Sequence, residues 1–326
     1  MPAGLCPTGA NIRIMYKGKN MRLLTRSDFD GLGCAVLLKD VNMVDDIKFV
    51  HPKDIQDGLI EVDENDILAN IPYVPGCGLW FDHHSSENER KSYGYFMGMS
   101  DASAPSAARV VYNYYGGKER FYDSHFDELI AAVDKADSAQ FTAGEILHPQ
   151  GWTLLAFIMD PRTGLGRYRD YRISNYHLMM DMIDYCSRKT VDEILAIDDV
   201  VERVRRYFEQ DKLFQKMIKT NSTVRDNVLV IDLLDQEEIY TGNRFVPYSL
   251  FPEQNISIQA IWGLKKQNIV YTCGHSIINP TSKTDVGSLM LKYGGGGHKR
   301  VGTCQVPVDD APEILETIIL KMNEDG

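Results

Sequence analysis

The chain has 326 residues, 44% of them hydrophobic, and its 46 acidic against 35 basic residues give a formal net charge of −11. That length supports a sizeable core and two domains rather than one, while the acidic balance excludes a broad basic surface for long duplex nucleic acid and leaves small anionic substrates only where positive charge or metal is gathered locally. No apolar run approaches the ~18 residues of a membrane helix, the opening segment lacks the apolar stretch of a signal peptide, and the six cysteines form no CxxC pair or zinc spacing, so a cytoplasmic protein with reduced thiols and no membrane partner is expected.

Residues 1–20 read as a poorly ordered extension ahead of Met21. Short apolar runs then alternate with helical patterns, in "RLLT", "GLGCAVLLKD", "IKFV", "DILANI" and "GLWFD". This rhythm predicts parallel strands with helical crossovers in an open α/β sheet. Helices are expected in "SAARVVYNYY", "SHFDELIAAVDKAD" and "GWTLLAFIMD", and "PRTGLGRYRD" reads as a loop. From Val191 to Ile218 apolar positions recur at helical spacing between charges, which predicts a helical connector. The texture then turns β-rich in "NVLVIDLL" and "SIQAIWGLKKQNIVYTCGHS", where polar "KKQN" separates two runs as a hairpin would. The expected organisation is a domain over residues 1–190 with a mainly parallel sheet flanked by helices, a connector over 191–220 and a smaller α+β domain over 221–326.

Two of the expected strands end in acids. "GLWFDHHSSE" sets Asp82, His83 and His84 at the carboxyl end of a buried strand, where ligands bind in open α/β sheets. "TRSDFDGLG" sets Asp28 and Asp30 after "RLLT". Both carboxylates project to one side if the strand continues through them; an Asp-Gly turn with a helix cap is the alternative. "AAVDKADSAQF" adds Asp134 and Asp137 at the close of a helical pattern, where solvated acids on a helix face are the plain reading. Carboxylates gathered at one sheet edge repel each other and hold protons unless a cation compensates. Carboxylates mixed with imidazoles, without thiolates, suit manganese or magnesium better than structural zinc.

In this order, "SDFDG", "FDHH", "VDKADSA" and, far downstream, "GGGGHKRVGTC" resemble the DHH phosphoesterase superfamily with its DHH-associated C-terminal domain, over nearly all of the chain after Met21. Within it the chain is similar to the exopolyphosphatase-like branch, relatives of oligoribonucleases, cyclic dinucleotide phosphodiesterases, RecJ-like exonucleases and family II pyrophosphatases. The resemblance implies that Asp28, Asp30, Asp82, His83 and Asp137 hold two manganese ions, or magnesium, with Asp82 bridging and Asp134 the alternative to Asp137. His84 would face substrate phosphate. Two departures stand out: "LTRSD" carries Arg26 where many members place a histidine near the acids, and Asn70 in "DILANIPY" stands where they have a further aspartate. Each removes an expected ligand and weakens one metal position. His51, after "IKFV", is a candidate replacement, set against its plain reading as a loop residue before proline.

In "DVGSLMLKYGGGGHKRVGTC" one glycine would serve as a helix cap. Four, followed by His298, Lys299 and Arg300, exceed what a cap needs and open backbone amides to an anion; a hairpin with a solvated basic end is the plain alternative. Joined to the family pattern, Gly295, Gly296, Gly297, His298 and Arg300 read as the grip on the substrate's phosphate or terminal nucleotide. Arg109, Arg244, Asn279 and Lys283 are further candidates for such contacts. The expected function is hydrolysis of a short oligonucleotide or dinucleotide by metal-activated water, with Asp82, His83 and His84 at the catalytic centre. Two rivals remain, a polyphosphate or pyrophosphate hydrolase and a nucleotide-binding sensor with weakened catalysis, the latter motivated by Arg26 and Asn70. A homodimer is compatible with either.

Overall fold

The computed structural model describes residues 21–84 and 96–326, so the extension expected over residues 1–20 lies outside the described residues. The chain forms two compact units. The first holds the described residues up to Gln140 with Gln150–Pro161 and Leu165–Val204, and the second holds Phe141–Pro149, Arg162–Gly164 and Arg205–Gly326. The division falls within the helix Asp198–Thr220.

In the first unit β1 (Arg22–Arg26), β2 (Asp46–Val50), β3 (Asp66–Ala69), β4 (Leu79–Asp82) and β5 (Gly98–Ser100) form a sheet of order β2-β1-β3-β4-β5. Every pairing is parallel, as the alternation of runs predicts. β3 and β4 are buried along their whole length. Strands covered on both faces read as continuous apolar runs rather than alternating ones, which is why "LWF" carries no polar break. The strand order reverses between β1 and β3, and a crevice for ligands opens at the carboxyl ends beside such a reversal. Asp28 and Asp30 follow β1, Asn70 follows β3, and Asp82 closes β4.

β1 stops at Arg26, so strand alternation does not carry through the two acids. Asp28 is the N-cap of the helix Phe29–Asp40, and Asp30 lies in its first turn. A Cβ at Gly31 would stand 1.9 Å from the Arg26 carbonyl oxygen, so the turn from strand to helix closes only with glycine there. This helix packs against the helices Ala107–Tyr114, Ser124–Asp137 and Asn175–Arg188. "PRTGLGRYRD" is a loop that includes two short 3-10 turns, Pro161–Thr163 and Leu165–Arg167.

The second unit is built on β6 (Ser222–Arg225), β7 (Val228–Asp232), β8 (Ile256–Trp262), β9 (Ile269–His275), β10 (Gly296–His298) and β11 (Val301–Val306). Their order is β10-β11-β9-β8-β7-β6, with β7 and β8 parallel and the other pairs antiparallel. "KKQN" turns the β8–β9 hairpin, and Lys265 and Lys266 adopt left-handed φ of 53° and 57° in it. Alternate residues Ile256, Ile258 and Ala260 of β8, Ile269, Tyr271 and Cys273 of β9, and Cys304 and Val306 of β11 form one buried face. Residues of the helices Val286–Leu291 and Ala311–Asp325 belong to the same core. The fold class is therefore as the sequence predicts, a parallel α/β unit and a mixed α+β unit. No helix among the described residues is long and apolar enough to cross a membrane, and the described cysteines are all free thiols.

Candidate metal centre

Asp30, His83 and Asp137 converge: one ligand atom from each lies within 4.8 Å of the other two. Asp30 comes from the helix start after β1, His83 from one residue past β4, and Asp137 from the end of the helix Ser124–Asp137. The Asp30 carboxylate sits on the N-terminus of the helix Ala107–Tyr114, where Ala108 N–H donates to Oδ1 at 2.7 Å and Ala107 N–H to Oδ2 at 2.9 Å. Helix N-termini favour anions. The approach needs Gly33, since a Cβ there would lie 2.9 Å from the Ala108 Cβ. Burial first, then the Asp137 charge, nevertheless raise the Asp30 pKa to about 8.

His83 Nδ1 lies 3.2 Å from the Ala104 carbonyl oxygen. A carbonyl only accepts, so Nδ1 carries a proton and the ring turns its Nε2 toward the carboxylates. Nε2 is buried without a hydrogen bond, 3.2 Å from Asp137 Oδ2 and 3.7 Å from Asp30 Oδ2. Burial opposes a second proton on His83, but Asp137 and Asp30 outweigh it and lift its pKa to about 9. Without an ion the cluster holds a proton in the place a cation would take, and ion binding would release it.

Asp82 is wholly buried. Its Oδ1 accepts from His84 Nδ1 at 2.8 Å, and its Oδ2 has no hydrogen-bond partner among the described residues. The bond to Asp82 raises the His84 pKa, against the effect of burial. Behind these groups the Cys34 thiol is pushed well above its usual value, by burial and then by Asp30, Asp28, Asp82 and Asp137 together. It stays a thiol rather than a ligand. Two buried polar atoms without partners, Asp82 Oδ2 and His83 Nε2, thus accompany the carboxylates of Asp30 and Asp137. An oxygen and imidazole donor set of this kind fits a hard divalent cation such as manganese or magnesium.

Asp28 has different company. Its Oδ1 accepts from Asn70 Nδ2 at 3.0 Å and Gly31 N–H at 2.9 Å, and its Oδ2 lies 3.0 Å from Arg26 Nε. Asp134 accepts from Ser106 Oγ at 2.7 Å and from Arg109 Nε and Nη2 at 2.8 and 2.6 Å. Of the two acids in "VDKAD", Asp137 meets His83, while Asp134 fastens Arg109. His51 accepts from Lys53 N–H at 3.1 Å as the exposed N-cap of the short helix Pro52–Gln56. The groups that sequence reading missed are backbone ones, the Ala104 carbonyl and the Ala107 and Ala108 amides. "SAPSAAR" held a hint, since Ser106 caps the helix whose first amides bind Asp30.

In the second unit Gly296–His298 pairs with Val301–Thr303 as an antiparallel hairpin. The fold accounts for three of the four glycines: Gly294 has φ +74°, and a Cβ would lie 2.0 Å from the Thr303 oxygen at Gly295 and 2.2 Å from the Val301 oxygen at Gly297. At Gly296 nothing lies within 4 Å of a built Cβ, and that backbone is open to an approaching group. His298 and Arg300 are exposed beside it. Arg244 is exposed and stacks on the Phe245 ring at 4.3 Å, half-buried Asn279 donates to the Glu253 carbonyl at 2.7 Å, and Lys283 is exposed.

No family model matches the chain, and no curated protein matches it. Among solved structures, one described as the pGpG-specific phosphodiesterase PggH from Vibrio cholerae superposes with a TM-score of 0.85 at 50% identity, covering 94% of this chain and 100% of that one. RecJ from Thermus thermophilus in complex with Mn2+ superposes with a TM-score of 0.59 at 12% identity, covering 99% of this chain and 56% of that one. RecJ from the same organism in complex with Mg2+ gives 0.50 at 13% identity, covering 97% and 52%. At such identities the RecJ likeness is one of fold. With the acids and histidines of "SDFDG", "FDHH" and "VDKADSA" at the carboxyl edge of a parallel sheet, and half of its residues shared with a phosphodiesterase of this architecture, the chain belongs to the DHH phosphoesterase superfamily.

Proposed function

We propose that the chain is a divalent-metal-dependent phosphodiesterase that hydrolyses short oligonucleotides or dinucleotides, acting in the cytosol. The observation that carries this reading is the convergence of Asp30, His83 and Asp137 beside the buried, unpartnered Asp82 Oδ2. The match to a protein described as pGpG-specific supports a linear dinucleotide as substrate, and pGpG is the first to try. The free cysteines fit a reducing compartment.

Asp30, His83, Asp137 and Asp82 would hold the ion, for which we propose manganese. When bound, it supplies Lewis acidity that activates water and neutralises charge on the leaving oxygen. The protein's share is preorganisation. Asp30 is fixed by two backbone amides and His83 by the Ala104 carbonyl, so neither has to reorient during reaction. Asp82 favours the protonated form of His84, whose side chain is 40% exposed, and this places a donor and positive charge for a phosphoryl oxygen. In the second unit we assign the rest of the substrate to Gly295, Gly296, Gly297, His298 and Arg300, with the Gly296 backbone as the point of close approach.

The polyphosphate rival would call for an extended basic channel, which a chain of net charge −11 does not favour. Replacing Asp82 by asparagine tests the reading. In manganese buffer, mononucleotide release from pGpG is expected to fall by about 10²-fold or more, on the order of 3 kcal/mol of transition-state stabilisation. Unchanged turnover refutes the site. Phosphate release from polyphosphate with no mononucleotide from any dinucleotide would reverse the ranking of substrates.

A further inference from the structure

The two cations implied by the family resemblance need two sets of available ligands, and among the described residues the site offers one. Beside His83, the Asp30 carboxylate is held by two backbone amides rather than by a lysine or arginine, and Asp82 Oδ2 and His83 Nε2 are buried without hydrogen-bond partners. Asp28 presents the opposite case. Its Oδ1 already accepts two hydrogen bonds, from Asn70 and Gly31, and its Oδ2 is paired with Arg26. Asn70 turns its amide NH2, not its carbonyl, toward Asp28, and it is 2% exposed at the end of β3 with a left-handed φ of 56°. An ion placed at Asp28 would have to displace the guanidinium, and it would meet in Asn70 a donor instead of an anionic ligand.

Resting on the phosphodiesterase reading above, we propose that the centre takes one divalent ion per chain, at Asp30, Asp82, His83 and Asp137, and that Arg26 on Asp28 supplies the fixed positive charge that a second ion would otherwise bring. A guanidinium cannot lose its proton in this pH range and binds phosphate through a planar fork. The Arg26 side chain is 37% exposed, so part of it stays open while Nε pairs with Asp28. Arg26 thereby becomes a candidate contact for a substrate phosphoryl oxygen, and Asn70 the residue that holds Asp28 in place for it. The two departures from the family pattern then act as a pair, since both converge on one carboxylate.

The test is ion stoichiometry. The full-length protein is stripped with chelator, titrated with Mn2+ alone by calorimetry, and examined by electron paramagnetic resonance. One ion per chain with the spectrum of isolated Mn2+ is expected, and Asp137→Asn is expected to abolish that binding. Two ions per chain, or a spectrum of exchange-coupled manganese, would overturn this inference while leaving the phosphodiesterase reading intact. No binding at all would overturn both. Arg26→His combined with Asn70→Asp is expected to raise the count to two, because it replaces a cation and an amide with an imidazole and a carboxylate. A folded double variant that still binds one ion would overturn the assignment of the missing site to these residues.

Discussion

Alanine at Gly295 would set a Cβ 2.0 Å from the Thr303 carbonyl oxygen and 2.6 Å from the Cys304 Cα. Ordinary contact needs roughly 3.4 Å or more, so β10 must move away from β11 by over about 1 Å. Both contacts are backbone, with no flexible side chain to give way. Overpacking of this kind costs roughly 1–3 kcal/mol, and a lost ladder hydrogen bond adds about 1. A total near 2–4 kcal/mol lowers Tm by about 5–15 °C for a unit of this size. Alanine at Gly296 meets nothing within 4 Å, and its φ is not positive. Its stability should stay within about 1 kcal/mol of the parent. If that backbone receives the substrate, however, the methyl group raises KM for pGpG by about tenfold, equivalent to about 1.4 kcal/mol. Differential scanning fluorimetry and steady-state kinetics on the two variants separate these effects. A Gly296→Ala enzyme with parental KM would refute the role of this hairpin in binding, and a Gly295→Ala protein of parental Tm would refute the packing argument.

Two further outcomes follow from buried groups away from the reacting centre. Gly33→Ala forces its helix from Ala108 and should loosen the Ala107 and Ala108 bonds to Asp30; a loss of about 1–3 kcal/mol in stability is expected with weaker Mn2+ binding by calorimetry, and unchanged affinity would count against the helix N-terminus as the anchor of Asp30. Asp211 bonds Gln215 through Oδ2 at 2.7 Å, but its Oδ1 is buried without a partner, and burial raises its pKa. A carboxyl raised in the folded state stabilises the protein fully below its ordinary pKa and loses that contribution as pH rises through the raised value. Asp211→Asn should therefore add about 1–3 kcal/mol at pH 8 and little at pH 4 in urea titrations, and a gain equal at both would refute this account.

Much of the fold was readable along the chain because its signals are local. Continuous apolar runs in "RLLT" and "GLWFD", with a helical pattern between, specify buried parallel strands whatever lies elsewhere. The acids at their ends marked the sheet edge where Asp30 and His83 meet. Choices between neighbours were not local. Asp134 and Asp137 are one turn apart on one helix, and only the position of Arg109 on another helix decides that Asp134 forms an ion pair with it while Asp137 meets His83. Asp28 and Asp30 are two residues apart, yet the Arg26 and Asn70 side chains claim the first and the Ala107 and Ala108 amides claim the second.

The glycine run divides in the same way. That it turns a hairpin could be expected from its composition, but which glycine the fold leaves unexplained depends on β11 crossing within van der Waals distance of Gly295 and Gly297 and not of Gly296. By itself, then, the sequence determined β1 to β4 and their parallel sense, β7 and the β8–β9 hairpin, the family and the set of candidate ligands, since each is written in spacing and residue type, whereas the short or edge strands β5, β6, β10 and β11 carry no such run. Which charges and donors surround each of those ligands was decided only by tertiary structure, because distant segments bring them within about 3 Å of a carboxylate.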